Sequence, residues 1–257
     1  MIIDTHIHRG PIAGQAVMDH SLGRIVNTMD TLGIHISISC NTMSMFLKDF
    51  EGGAKLACKE YEQSRGRVCS YLYYHPKLVE ESLRVIGDYR GEDAFRGVKI
   101  HPTETNVYGD DELFRPIWEL AALHDLPIIS HTWDVSSYNP GQKFSYPGRF
   151  EKYLKSYPSV RFIMAHSGGR YHAIIEAARL GMEYPNVFYD TAGDIHANGY
   201  LEYLIEQVGA SRVFYGSDCP MMDQRTMLGV VLGADISLED KERILFKNAN
   251  DFFGLDL

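Results

Sequence analysis

The pair His6-x-His8 closes the apolar run that opens the chain. Residues two apart on a strand face the same side, so both imidazoles can address one point in space, a spacing that metal ions use. Three later polar residues stand in the same relation to an apolar run: His131 in PIISHT, His166 in VRFIMAHSGG and Asp218 in RVFYGSDCP. The combined set is rich in nitrogen with one oxygen donor, which suits a transition metal, and it leaves a coordination position open for water, as catalytic sites do.

The elements that must position these residues follow from hydrophobic periodicity. Short β-branched runs predict strands at 2–8, 34–39, 67–74, 96–101, 127–132, 160–166, 186–191 and 211–217. Helical stretches lie between them at 15–32, 47–64, 77–89, 111–125, 147–156, 171–182, 198–208 and 222–232. Strict βα alternation implies parallel strands with right-handed crossovers, and eight such units match a closed (β/α)8 TIM barrel. A doubly wound open sheet is the competing arrangement, but it does not require eight regular units. The tail from Ser237 predicts one extra C-terminal helix, with Ser237 as N-cap, Asp240 as its capping-box partner, and Leu245, Ala249 and Phe252 on the face turned to the barrel. No repeat, low-complexity tract or linker interrupts the series, so residues 1–257 are expected to form a single domain.

In such a barrel the C-terminal strand ends converge on one rim, the face where active sites are found. His6, His8, His75, Lys99, His101, His131, His166 and Asp218 all fall there. His20, His124 and His172 fall in predicted helices and His35 at the opposite mouth, so these four are expected to be structural or surface residues. The connection from Thr132 to Pro147 is long and carries Trp133, Tyr138, Phe144 and Tyr146, which marks it as a pocket wall or lid.

Composition sets the outer limits. With 45% hydrophobic and 23% charged residues the chain can fill a sizeable core, which argues against disorder. A formal charge of -9 repels polyanions and anionic membranes, so the expected partner is a small molecule rather than nucleic acid or a membrane. The N-terminus MIIDTHIH lacks a basic region followed by a long apolar stretch, and a cytoplasmic location is expected. Cys40, Cys58, Cys69 and Cys219 form no CxxC pair and are expected to be free thiols, mostly buried. Whether the chain forms a homo-oligomer has no signature here.

Six motifs in this order, DTHIH (4–8), GVKIHP (97–102), ISHT (129–132), AHSGG (165–169), GSDCP (216–220) and KNANDFFGL (247–255), resemble the amidohydrolase superfamily along the whole chain. The resemblance is to the amidohydrolase-related group of metal-dependent barrels that includes aminocarboxymuconate-semialdehyde decarboxylase-like enzymes. It implies metal ligation by His6, His8, His131 and Asp218, with His166 a further ligand or a catalytic group. Some superfamily members bridge two metals with a carboxylated lysine on strand four. Relatives with the lysine-containing motif found here generally use one metal, so Lys99, with His101 on the same face, is expected to meet substrate. The expected cofactor is one divalent transition metal, zinc first, with manganese, iron or cobalt as alternatives.

The leading expectation is hydrolysis of an amide, ester or lactone of a small, carboxylate-bearing molecule. A divalent metal lowers the pKa of bound water to about 7. Asp218 would take the water proton and pass it to the leaving group, while His166 orients the water or stabilises the oxyanion. The alternative is non-oxidative decarboxylation of an unsaturated or aromatic acid, with Asp218 or His166 protonating the carbon. A barrel that binds metal without turnover is a third reading, opposed by the presence of both proton-transfer residues. Substrate contacts are expected from Lys99, His101, Trp133 and Arg9, with Arg149, Arg170 and the Ser167-Gly168-Gly169 turn as further anion partners.

Overall fold

The computed structural model describes residues 1–12, 19–195 and 197–257. Its eight strands are β1 (Ile2–Arg9), β2 (Ile34–Asn41), β3 (Val68–Tyr73), β4 (Phe95–Ile100), β5 (Ile128–His131), β6 (Phe162–Ala165), β7 (Val187–Asp190) and β8 (Val213–Phe214). All pair in parallel in sequence order. The barrel closes where residues 215–219 return to β1. There Thr5 N donates to Tyr215 O at 2.9 Å and Asp218 N to His6 O at 2.8 Å. The fold is therefore the (β/α)8 barrel, with β8 shorter than expected because its end is spent on this irregular closure.

The helices differ from expectation mainly at their ends. The first runs Leu22–Leu32 from an N-cap at Ser21, so His20 precedes it and is exposed; positions 15–18 of the predicted helix lie outside the described residues. The stretch after β2 splits into Thr42–Phe46, capped by Asn41, and Phe50–Gln63, capped by Asp49. The C-terminal helix starts at Ser237, whose Oγ accepts from Asp240 N at 3.0 Å. It continues through a π-helical turn, Arg243–Lys247, and ends at Gly254 in the left-handed region. Among the described residues no helix is long and apolar enough to cross a membrane. All four cysteines are free, and three of them are buried.

Two buried clusters divide the molecule. One lies between strands and helices and includes Ile7, Val98, Ile117, Trp118 and Phe162; the other fills the barrel interior with Ile3, Ile38, Cys69, Ile129, Ile163 and Phe214, closed below by Phe252. Side chains of this size each contribute about 1.5–3 kcal/mol on full burial.

Ile3 faces the interior and Ile7 faces the helices, although residues four apart on a regular strand share a face. The register explains this: Asp4 pairs with Ser37 and Ile7 with Ser39, three residues of β1 against two of β2. One extra residue in β1 therefore reverses its facing and turns His6 and His8 inward. A second irregularity, Phe95 to Val98 against Ser70 to Leu72, does the same for Lys99 on β4. It is built at Gly97, whose φ of +146° and position against the Pro127 carbonyl, 2.5 Å from where a Cβ would sit, exclude a side chain.

Gly97→Ala is accordingly expected to lower unfolding stability by about 1–3 kcal/mol, the usual cost of a strained backbone. Urea denaturation checks this, and an unchanged midpoint would contradict the role given to the bulge.

Candidate metal centre

His6 and His8 arrive side by side on the interior face of β1, and Asp218 reaches them from the turn after β8. The backbone of Asp218 is in the left-handed region (φ +65°), which directs its carboxylate inward. His8 Nε2 donates to Asp218 Oδ1 at 2.9 Å, and His6 Nε2 is 3.7 Å from the same oxygen. Donor atoms about 2.0–2.2 Å from an ion stand roughly 3–3.5 Å from one another, so this trio has the spacing of a metal site. The proton now between His8 and Asp218 must leave when an ion enters.

Asp190 at the end of β7 organises the centre from behind and is fully buried. Its Oδ2 accepts from His6 Nδ1 at 2.8 Å; its Oδ1 accepts from His166 N at 2.7 Å and Ala192 N at 3.0 Å. His6 is thereby fixed with Nδ1 protonated and Nε2 free for an ion, the usual carboxylate–histidine support of a ligand. Burial pushes the Asp190 carboxyl above its ordinary range, against the pull of His166. Asp190 escaped the sequence analysis although it ends NVFYD, the same strand-end signal that singled out Asp218.

His131 and His166 complete the cluster. His166, at φ +62°, presents Nε2 3.1 Å from His131 Nδ1, and its ring centroid lies 5.0 Å from that of His6. His131 is not part of the close His6–His8–Asp218 trio; it stands one imidazole away, stacked on His101 at 4.1 Å with 9° between planes. Trp133 lies parallel to His131 on the wall of the cleft and edge-on to His166. Lys99 enters from β4 with Nζ 3.5 Å from His6 Nε2.

The electrostatics favour an ion. Burial first, then the Lys99 cation, lowers the pKa of His6 well below its ordinary value. Burial and neighbouring imidazoles do the same to His101 and His131, and burial takes His166 down to about 4. These rings are neutral at pH 7 and offer lone pairs. Burial alone would raise Asp218, yet the hydrogen bond and charge of His8, with His166 and His6, hold it well below the carboxylate range. The donor set thus fits a divalent transition metal.

Several expected contacts lie elsewhere. Arg9 follows His8 and so faces away from the cluster, where Glu60 and the His20 carbonyl hold its guanidinium; it does not reach the cleft. His101 spends Nδ1 as an N-cap, accepting from Glu104 N at 3.1 Å, which leaves only Nε2 for a substrate. Arg149 pairs with Asp110 away from the cluster, whereas Arg170 pairs with Asp194 over the face of Trp133. His75 is buried beside Phe50 and Tyr73. His35, His124 and His172 are exposed, as expected.

The lowered imidazoles make a pH prediction. Between about 6.5 and the folded values, the unfolded chain binds more protons, so stability of the metal-free protein falls as pH drops from about 6.5 toward 4. Asp4, pushed up to about 7 by burial, and Asp190 and Glu104, also raised by burial, work in the opposite direction against five lowered imidazoles, His75 included. His101→Asn should therefore show a shallower loss of Tm between pH 7 and pH 5 than the wild type. Parallel curves would contradict it.

Comparison with known proteins gives the family and the fold. A model of an amidohydrolase family matches residues 50–255. No curated protein matches. Among solved structures, an uncharacterised TIM-barrel protein from Bordetella bronchiseptica superposes with a TM-score of 0.77 at 15% identity, covering 98% of both chains. A dihydroxybenzoic acid decarboxylase from a Polaromonas species, with bound manganese and the inhibitor 2-nitroresorcinol, gives 0.72 at 16% identity over 100% of this chain and 97% of that one. A manganese complex of 5-carboxyvanillate decarboxylase from Novosphingobium aromaticivorans gives 0.74 at 17% identity over 99% and 96%. At these identities the solved structures establish the barrel, and the matched family model establishes that the chain belongs to the amidohydrolase family.

Proposed function

We propose that this barrel is a metal-dependent decarboxylase of an unsaturated or aromatic carboxylic acid. The observation that carries this reading is Lys99. Its side chain is 1% exposed, and among the described residues no carboxylate lies within 4.0 Å of it. Burying a cation without a carboxylate in direct contact is costly, and an anionic substrate would supply that contact. The decarboxylases with similar barrels act on acids of this kind, which supports the same reading.

His6, His8, His131 and Asp218 would hold the ion, and manganese and zinc both suit these donors. When bound, the ion supplies a positive site for a substrate oxygen beside the scissile carbon, lowering the cost of the charge released there. Lys99 neutralises and orients the carboxylate. Asp218 is anionic, so it accepts the proton of a substrate hydroxyl group and returns it to the carbon as carbon dioxide departs, leaving the oxyanion to be reprotonated from solvent; His166 is the other group placed for that transfer. The flat wall of His131 and Trp133 suits a planar ring. A hydrolytic reading draws on the same low-lying Asp218, which could instead take a proton from water for attack on an ester, amide or lactone.

Metal-loaded protein incubated with hydroxybenzoic and enoic acids, and separately with lactones, esters and amides, is expected to release carbon dioxide from an acid by mass spectrometry. Water addition to a lactone or amide with every acid untouched would favour hydrolysis instead. Lys99→Met should retain metal and lose about 100-fold or more in turnover of the acid. Full turnover in that variant would remove Lys99 from the substrate.

A further inference from the structure

We propose that Gln142, carried by the loop after β5, is the positioning residue that fixes the His131 ring for the ion and so couples the order of that loop to metal binding. The proposal rests on His131 being a ligand, as proposed above. Stacking on His101 sets the plane of the His131 ring but does not prevent a half-turn about its Cβ–Cγ bond, which leaves that plane unchanged. The hydrogen bond to Gln142 does: the buried carboxamide places Oε1 2.9 Å from His131 Nε2. A carbonyl oxygen only accepts, so Nε2 carries the proton and Nδ1 keeps its lone pair. Nδ1 is the atom directed at the cluster, 3.1 Å from His166 Nε2. Gln142 therefore selects the tautomer that can bind metal, as Asp190 does for His6.

The loop that brings Gln142 is fastened at its far end. Pro140–Phe144 forms a 3-10 turn; Thr103 N donates to Ser145 Oγ at 2.9 Å, and Gly109 N to Phe144 O at 3.0 Å. Those anchors belong to the segment after β4 that His101 caps. The same loop begins with Trp133, on the cleft wall. An ion on Nδ1 favours the tautomer that holds Gln142, and by linkage the ion stabilises the loop while the ordered loop tightens the ion.

The test uses the full chain, with manganese or zinc affinity measured by competition with a chromophoric chelator. Gln142→Leu, which has no acceptor, is expected to bind about 10- to 100-fold more weakly, while Gln142→Glu, which can only accept, stays within about threefold of wild type. In the wild type, metal should slow amide exchange over 139–146, and in Gln142→Leu it should not. Wild-type affinity in Gln142→Leu, with weakened binding in His131→Asn, would overturn the role of Gln142 and leave His131 a ligand. Wild-type affinity in both would overturn both. Gln142→Glu as weak as Gln142→Leu would overturn the acceptor role. If Gln142→Leu does not fold, the affinity of Gln142→Glu and the effect of metal on wild-type exchange still decide the matter.

Discussion

One extra residue in β1 governs everything at the top of this barrel. Without the shift between Asp4 and Ile7, the strand that buries Ile3 inside would send His6 and His8 toward the helices, away from Asp218 and Asp190. Asp4, just before the bulge, faces out of the interior by alternation with Ile3 and accepts from Ser217 Oγ at 2.6 Å and Gln224 Nε2 at 2.9 Å. Asp4 therefore braces the β8 turn that carries Asp218. The bulge aims two of the proposed ligands, and the residue before it supports a third.

Around that constraint the polar residues form a dense, ordered network. Asp190 joins β1, β6 and β7 through a single carboxylate, and Lys99 supplies a cation beside His6. His166 and Asp218 occupy left-handed backbone conformations at about +60°, which cost energy and persist because hydrogen bonds on either side hold them. Such strain is concentrated where side chains must converge on one point. The apolar interior below, closed by Phe252, gives the network a rigid floor.

Much of this architecture was legible in the sequence. Apolar runs that lead into polar residues recur at most of the eight expected strands, and the βα alternation places those residues on one rim. The bulges were not legible, because IIDTHIH satisfies a two-residue period with either face inward. Arg9 was misplaced for a simple reason: a residue adjacent to His8 must face away from it, and alternation alone predicts this. Asp190 carried the same strand-end signal as Asp218 but sits among hydrophobic neighbours that read as core. Gln142 had no local signal, since its contact with His131 depends on how the loop folds back over β4. His101 was placed correctly on the rim, yet its cap with Glu104 arises from a four-residue helix, Pro102–Thr105, too short to read from periodicity.

The central claim is that His6, His8, His131 and Asp218 converge on one divalent ion. Anomalous X-ray diffraction from crystals grown with manganese or zinc, collected at the metal's absorption edge, tests it most directly. The account predicts a single peak bounded by His6 Nε2, His8 Nε2, His131 Nδ1 and an Asp218 carboxylate oxygen. A peak held instead by His166 and Asp190, or no peak in the cleft of crystals with metal elsewhere, would contradict it.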